Sequence, residues 1–513
     1  MTSAPPEPSA ARPRLGAVFW VSVTFSLTFV LVGVLSPETV ADTVGGIREG
    51  VVERLGPVYP LTVLVVLLVV LGLAISPLGR IRLGEPDSRP EFGALSWLAM
   101  LLSAGVGLSF LFWGTAEPLI HTVEPPAGQA APGSEAAARD GMRWSFLFWG
   151  VHAWALYAAV GYASYRRGRT VLISDALRPL LGRHADGPLG TVVDILSVIA
   201  ILFGVATSLG LGTRELNAAL EHTHAVPDSY GTKVAIIVGL MTVSTISAMT
   251  GLGRGIRLLS LANLALCAVL LVLVLVLGPT REILGTAGTG VADYVRHLVP
   301  MSLGTEGGEA GQAWQREWTH FFWAWWIAWA PFVGTFLARI SHGRTIRGLV
   351  LGAVGVPGLV TVAWFSVLGG TALQRERTGA TDVAEVAAEY KSVATLEVLG
   401  TLPLSGLALG LLVPVLALLF ITSADSASFM LGSATSGGSM RPPRPLRLMW
   451  SFAAAFAAVL LLAGGPGSLR DAAVVAAVPF TVILLALCVA LVRDVWGDRA
   501  GVRHESAWSP GER

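Results

Sequence analysis

Residues Phe321–Phe332 read FFWAWWIAWAPF, with four tryptophans, Trp323, Trp325, Trp326 and Trp329, inside seven positions. No Asp, Glu, Lys or Arg occurs between Trp318 and Ala338, and about 20 mostly apolar residues are what a helix needs to cross a bilayer. On that helix Trp323, Trp326 and Trp329 follow i, i+3, i+6 and share one face, with Trp325 close to its edge. The stretch therefore predicts a spanning helix with an aromatic face, and it raises the question of what that face receives.

The rest of the chain has the same character. Its 513 residues are 53% hydrophobic and 13% charged, where a soluble domain carries about 25% charged residues, and the mean hydropathy is +0.67. Apolar runs of spanning length cover 15–36, 58–79, 92–120, 143–165, 191–220, 233–252, 256–279, 318–339, 347–373, 399–431, 447–465 and 472–493. The expected fold class is an all-α membrane protein with twelve transmembrane helices and no soluble domain. The first run follows a Pro/Ala-rich leader, 1–14, without a small-residue cleavage site, so it reads as a retained helix. Lys and Arg gather on one side of the spans, most densely at Arg166, Arg167, Arg169, Arg178 and Arg183, with Arg339, Arg344 and Arg347 after the eighth span. Cytoplasmic flanks carry that excess, which places both termini in the cytoplasm. A net charge of +1 lacks the basic stripe a nucleic-acid partner requires. Cys267 and Cys488 lie in apolar runs and read as small buried hydrophobes, with no disulfide or metal framework.

Helix breakers add organisation. The third span contains SAGVGLS, Ser103–Ser109, with Gly105 and Gly107 in mid-membrane, and the eighth carries Pro331 after its tryptophans. These spans stand five apart, and the third to the twelfth divide into two sets of five. Transporters built from inverted repeats put interrupted helices at corresponding positions of the two halves, where loosened backbone holds substrate and ion. Gly105 and Gly107, beside Ser103 and Ser109, read that way, whereas Gly114 reads as close helix packing.

A second aromatic group sits in the fourth span, WGVHAWALY, where Trp149, Trp154 and Tyr157 fall within an arc of roughly 140°. Two such faces form a cage. Ring faces attract a cation, and a quaternary ammonium, which cannot hydrogen-bond, suits them best. Trp20, Trp144, Trp314, Trp318, Trp450 and Trp496 lie near span ends and read as an interfacial belt.

These segments resemble the betaine/choline/carnitine transporter family. WTHFFWAWWIAWAPFVGTFLARISHGRTIR (Trp318–Arg347) looks like the family signature, WGVHAWALY like its fourth-helix motif, SAGVGLSFLFWGTAEPL (Ser103–Leu119) like its third-helix glycine segment, and TSADSAS (Thr422–Ser428) like its tenth-helix motif. The resemblance implies a LeuT-like core of two inverted five-helix repeats, 92–280 and 318–493, joined by an external segment, 281–317. Two extra helices within 15–91 precede the core and a short cytoplasmic tail, 494–513, follows it, in what is usually a homotrimer. It implies that Trp149, Trp154, Tyr157 and Trp326 surround a trimethylammonium group, while Trp325 and Trp329 line the path or hold a carboxylate, with Gly105, Gly107 and Ser109 on the facing wall. It also implies a sodium site from Thr422, Ser423 and the backbone near Ser103 and Val106, and a second near Thr207 and Phe332. The proton-coupled carriers of the family have an aspartate where this chain has Ser109, and the sodium-independent exchangers lack the Pro331–Phe332 pair present here. Sodium is the expected coupling ion, with no other cofactor. Long charged terminal extensions, found in osmotically activated members, are absent from this sequence, so no tail-borne control is expected.

Three ionisable residues inside the spans remain. Asp425 either orients the Thr422–Ser423 region or makes a structural interhelical bond. Glu117 is either a gate or, the preferred reading, a satisfied interfacial acid. His152 reads as a hydrogen-bonded packing residue. No HExxH or GxSxG motif supports a membrane enzyme, and no charge ring or filter repeat supports a channel. A solute sensor without flux is the remaining alternative. A zwitterion such as glycine betaine is preferred over choline, carnitine or ectoine, because the cavity motifs hold no unpaired acid.

Overall fold

The fold is that of a computed structural model, which describes residues 15–84, 87–106, 110–126, 130–165, 170–222, 225–250, 255–304, 308–388 and 390–505. In chain order the helices are α1 (Ala17–Leu35), α2 (Pro37–Leu55), α3 (Val58–Ile75), α4 (Ala94–Gly105), α5 (Phe110–Val123), α6 (Glu135–Trp149) and α7 (Val151–Tyr165). Two single turns, α8 (Ile173–Ala176) and α9 (Arg178–Leu181), lead to α10 (Pro188–His222), α11 (Tyr230–Thr250), α12 (Arg257–Leu277), α13 (Thr280–Leu303) and α14 (Gly308–Glu317). Then follow α15 (Thr319–Ile340), α16 (Ile346–Val350), α17 (Val356–Arg377), α18 (Ala384–Ala387), α19 (Lys391–Gly400), α20 (Ser405–Thr435), α21 (Arg444–Ala463) and α22 (Gly465–Glu505). Among the described residues there is no strand, only an isolated bridge between Arg82 and Thr345.

Eleven helical segments of the described residues are long and apolar enough to cross a membrane, and the α4/α5 pair, bent by 60°, brings the total to twelve. Each of the twelve expected spans coincides with one of them. Lipid-facing surface is recognisable by its exposed apolar side chains, such as Leu27, Leu31 and Val34 on α1 and Val269, Val272 and Val276 on α12.

The aromatic helix α15 stands at the centre, with the window that defines its span wholly enclosed by protein. Its most extensive partner is α7, and glycine makes that approach feasible. A Cβ on Gly334 would lie 2.4 Å from Cβ of Val160, so only a bare backbone fits.

Several expectations need correction. Pro331 does not interrupt α15, which runs helically through it. The proline removes one N–H, but packing on all sides holds the turn, and Thr335 donates its hydroxyl to the Pro331 carbonyl. The fourth span is broken instead: α6 ends at Trp149 and α7 begins at Val151, with Gly150 at φ −86°, ψ −145°. The belt assignment fails for Trp144, Trp318 and Trp450, which are buried. Trp144 and Trp318 join the ring cluster around Trp314, and Trp450 donates to Thr435 Oγ1 at 2.8 Å. Within the connecting segment 281–317 the described residues form α13 and α14, and α2 lies between the first two spans; these helices carry too much charge or polarity for a span search to find. Cys488 is buried, whereas Cys267 is only partly so.

Replacing Gly334 with Ala should overpack the α7/α15 contact at a cost of about 1–3 kcal/mol. Thermal unfolding of the detergent-purified protein is expected to show a lower midpoint; an unchanged midpoint would mean that the two helices separate without penalty.

Candidate functional site: an aromatic box at a helix break

The end of α6 leaves carbonyl groups without partners in their own helix. Side chains from two other helices take them. The Trp326 indole on α15 donates to the Phe148 carbonyl at 2.7 Å, and Thr361 Oγ1 on α17 donates to the Trp149 carbonyl at 2.8 Å. The break is thereby pinned from both sides, and it turns Trp149 onto the α15 aromatic face. Trp149 meets Trp326 edge to face, with centroids 4.9 Å apart and planes at 80°, and Trp325 at 6.0 Å and 82°. Trp325 and Trp326 lie nearly parallel, 5.4 Å apart. Tyr157 continues the wall at 6.4 Å from Trp326, and Trp154 stands 5.5 Å from Tyr157. All five rings are buried.

The backbone behind Trp154 must be glycine: a Cβ on Gly105 would fall 2.8 Å from the ring. Trp329 lies at the edge, 6.5 Å from Trp326, and its N–H is already given to the Gly204 carbonyl on α10 at 2.9 Å. By contrast Trp325 Nε1 and the Tyr157 hydroxyl are buried with no hydrogen-bond partner. Buried donors are ordinarily satisfied, so these two are the donors of the aromatic group left for an acceptor.

Next to the box lies a wall of neutral oxygens. Ser423 on α20 donates to the Ser103 carbonyl on α4 at 3.3 Å, and Asn263 on α12 approaches Ser103 Oγ at 3.4 Å. Val106 follows directly after α4. Thr422 bonds back to its own helix, at 2.8 Å from the Leu418 carbonyl, as such hydroxyls commonly do. Phe332 packs on the Trp329 ring at 5.7 Å, and the buried Thr207 lies three residues beyond Gly204, whose carbonyl takes the Trp329 N–H. Gly107 and Ser109 lie outside the described residues.

Comparison with known proteins identifies the family. The model of the betaine/carnitine/choline family transporters matches residues 17–500. The chain belongs to that family. It is 38% identical over 497 residues to the glycine betaine transporter OpuD of Bacillus subtilis, covering 96% of each chain. It is 37% identical over 481 residues to the ectoine/hydroxyectoine transporter of Virgibacillus pantothenticus, covering 93% of this chain and 95% of that one. It is 36% identical over 498 residues to the high-affinity choline transport protein of Escherichia coli K12, covering 96% and 73% respectively. Membership makes the molecule a multi-pass membrane transporter and not an enzyme.

The remaining expected residues sit as follows in this transporter. Glu117 is no interfacial acid: it is wholly buried, and its Oε2 accepts the Trp149 indole N–H at 2.6 Å. Hydropathy put it near a span end, but the bend after α4 and the cover of α18 and α19 on α5 enclose it. Asp425 makes an interhelical ion pair with Arg447 on α21 at 2.9 Å and accepts from Ser247 on α11 at 3.0 Å. His152 meets Ser302 on α13 at 2.8 Å. Sequence reasoning passed over Thr361, Asn263, Gly204 and Arg447. The first two are lone polar residues inside apolar runs, a signal that was present in the sequence; nothing local marks Gly204, and Arg447 looked like an ordinary span flank.

Gly105→Ala should displace the Trp154 ring and weaken solute binding by about tenfold, since a single angstrom of misplacement in such a site is costly. Titration of the purified protein followed by tryptophan fluorescence checks this, and unaltered affinity would show that Trp154 is not part of the box.

Proposed function

We propose that this transporter imports a zwitterionic quaternary-ammonium compatible solute, glycine betaine in the first place, by sodium symport with alternating access between two inverted five-helix sets. The observation that carries the reading is a box of buried rings whose free groups are both donors, Trp325 Nε1 and the Tyr157 hydroxyl. Rings favour the cationic head by cation–π attraction. The two donors suit a carboxylate tail, through charge-assisted hydrogen bonds. The names of the relatives, covering betaine, ectoine and choline, support the solute class.

Sodium is supported by hard, neutral oxygens at a point where the α4/α5 span is broken, the setting in which such carriers hold the ion. In this reading the Ser103 carbonyl, the Ser423 hydroxyl and the backbone at Val106 turn toward the ion, and Thr422 releases its intrahelical bond to join them; Thr207 and Phe332 belong to a second site. Both termini face the cytoplasm of the host cell membrane, and the working assembly is a trimer. Choline is the second reading, favoured by the Glu117 carboxylate behind Trp149.

The test is uptake of labelled glycine betaine and choline into proteoliposomes under an inward sodium gradient and, separately, a proton gradient. Betaine uptake that follows sodium is expected, with a higher half-saturating sodium concentration in Ser423→Ala; uptake driven by protons alone would overturn the coupling. Trp325→Phe keeps the ring and removes the N–H. Its expected effect is a KM for betaine raised about tenfold, the worth of a charge-assisted hydrogen bond, with competition by choline unchanged. Equal losses for both solutes would remove the carboxylate role.

A further inference from the structure

The aromatic box is held from behind by an acid that accepts the N–H of one of its indoles. Glu117 lies on α5, is wholly buried, and receives the N–H of Trp149 on Oε2 at 2.6 Å. Its other oxygen, Oε1, has no hydrogen-bond partner. The nearest base is His121, one turn further along, with Nε2 at 3.6 Å from Oε1, beyond hydrogen-bonding reach. His121 is also buried, and neither of its ring nitrogens has a hydrogen-bond partner. Its ring is enclosed by Trp318 and Trp314, with centroids 4.6 and 5.0 Å away.

This is a costly arrangement for a membrane interior, where a buried acid with one hydrogen bond and an imidazole at ion-pair distance but without a hydrogen bond is incompletely satisfied. The carboxyl meets the Trp149 indole of the box, and the imidazole lies among the rings of Phe148, Trp314 and Trp318, able to stabilise positive charge. A carboxylate accepting an indole N–H acts on the box in two ways: it fixes the plane of the ring, and it sets a negative charge close behind the ring edge. In a medium of low dielectric that charge still acts over the width of one side chain.

We propose that Glu117 is a positioning residue for Trp149 and the counter-charge of the solute's ammonium group, so that the box selects positive charge and not merely a trimethyl shape. The inference rests on the quaternary-ammonium reading and deepens it. Zwitterions and plain cations both gain from the carboxylate, whereas a solute with carbon in place of the ammonium nitrogen gains nothing.

The experiment is a competition assay with purified, reconstituted transporter against labelled glycine betaine. The probes are unlabelled glycine betaine and 3,3-dimethylbutanoate, which keeps the shape and the carboxylate but has carbon in place of nitrogen. The proteins are wild type, Glu117→Gln, which retains an oxygen acceptor for the indole, and Trp149→Phe, which retains a ring but offers no N–H. In the wild type, betaine is expected to compete far better than its carbon isostere, which carries the carboxylate but no cation. In Glu117→Gln the betaine KM should rise about tenfold, the effect of a neighbouring charge at an intermediate effective dielectric, while the inhibition constant of the anionic isostere does not rise. Trp149→Phe should reduce the same discrimination. A wild type that fails to favour betaine over the isostere would overturn the quaternary-ammonium reading itself. A wild type that does favour betaine, with Glu117→Gln keeping the full preference or losing betaine and isostere alike, would overturn the role of Glu117 and leave that reading standing. Should Glu117→Gln fail to fold, an undiminished preference in Trp149→Phe would overturn that role just as well.

Discussion

One hydrogen bond sets the geometry of the centre: the Trp326 indole N–H reaching the Phe148 carbonyl at the end of α6. A backbone carbonyl inside a membrane protein has no water to turn to, so a helix can break there only where a neighbour supplies a donor. The tryptophan of α15 supplies it and commits its ring in doing so. Thr361 answers for the next carbonyl. The break at Gly150, the direction of Trp149 and the meeting of two aromatic faces all follow from these two bonds. The small residues that let α7 and α15 come together, Gly334 above all, are the other half of the same constraint.

The arrangement explains how a membrane interior can receive a positively charged group. A quaternary ammonium makes no hydrogen bonds to water, so moving it among rings forfeits less than moving a primary ammonium would, and ring faces attract it. The indoles divide the work. Trp326 and Trp329 spend their N–H groups on backbone carbonyls of α6 and α10 and are thereby fixed, Trp149 spends its own on Glu117, and Trp325 keeps its own free. Together with the Tyr157 hydroxyl, that leaves rigid walls with two uncommitted donors. The neighbouring Ser103–Ser423 contact joins α4 to α20, so an ion drawn to that wall would act on the same broken span that packs against Trp154 at Gly105.

Much of this was legible in the residues and some was not, for physical reasons. Twelve spans follow from apolar run length, which the bilayer imposes directly, and the aromatic face of α15 follows from helical spacing. The position of the interruption did not. Pro331 is a strong breaker in isolation, yet α15 is enclosed all round and tolerates it, while Gly150, an unremarked glycine in WGVHAWALY, carries the break because donors from α15 and α17 stand opposite. Trp144, Trp318 and Trp450 looked interfacial because depth was inferred from distance to a span end, a measure blind to what covers that end: α13 and α14 pack on α6 and α15, and α20 receives the Trp450 indole. Glu117 was misjudged in the same way. Its link to Trp149 spans 32 positions and has no local signature.

The central claim is that this box binds its solute through the faces of its rings. The most direct measurement is equilibrium titration of the purified protein with glycine betaine, read by tryptophan fluorescence, in wild type and in Trp326→Leu, with thermal unfolding to confirm that the variant is folded. A saturable spectral change in the wild type, absent in the folded variant, is the predicted result. A variant that keeps its apolar volume, loses the ring and still binds with the wild-type affinity would contradict it.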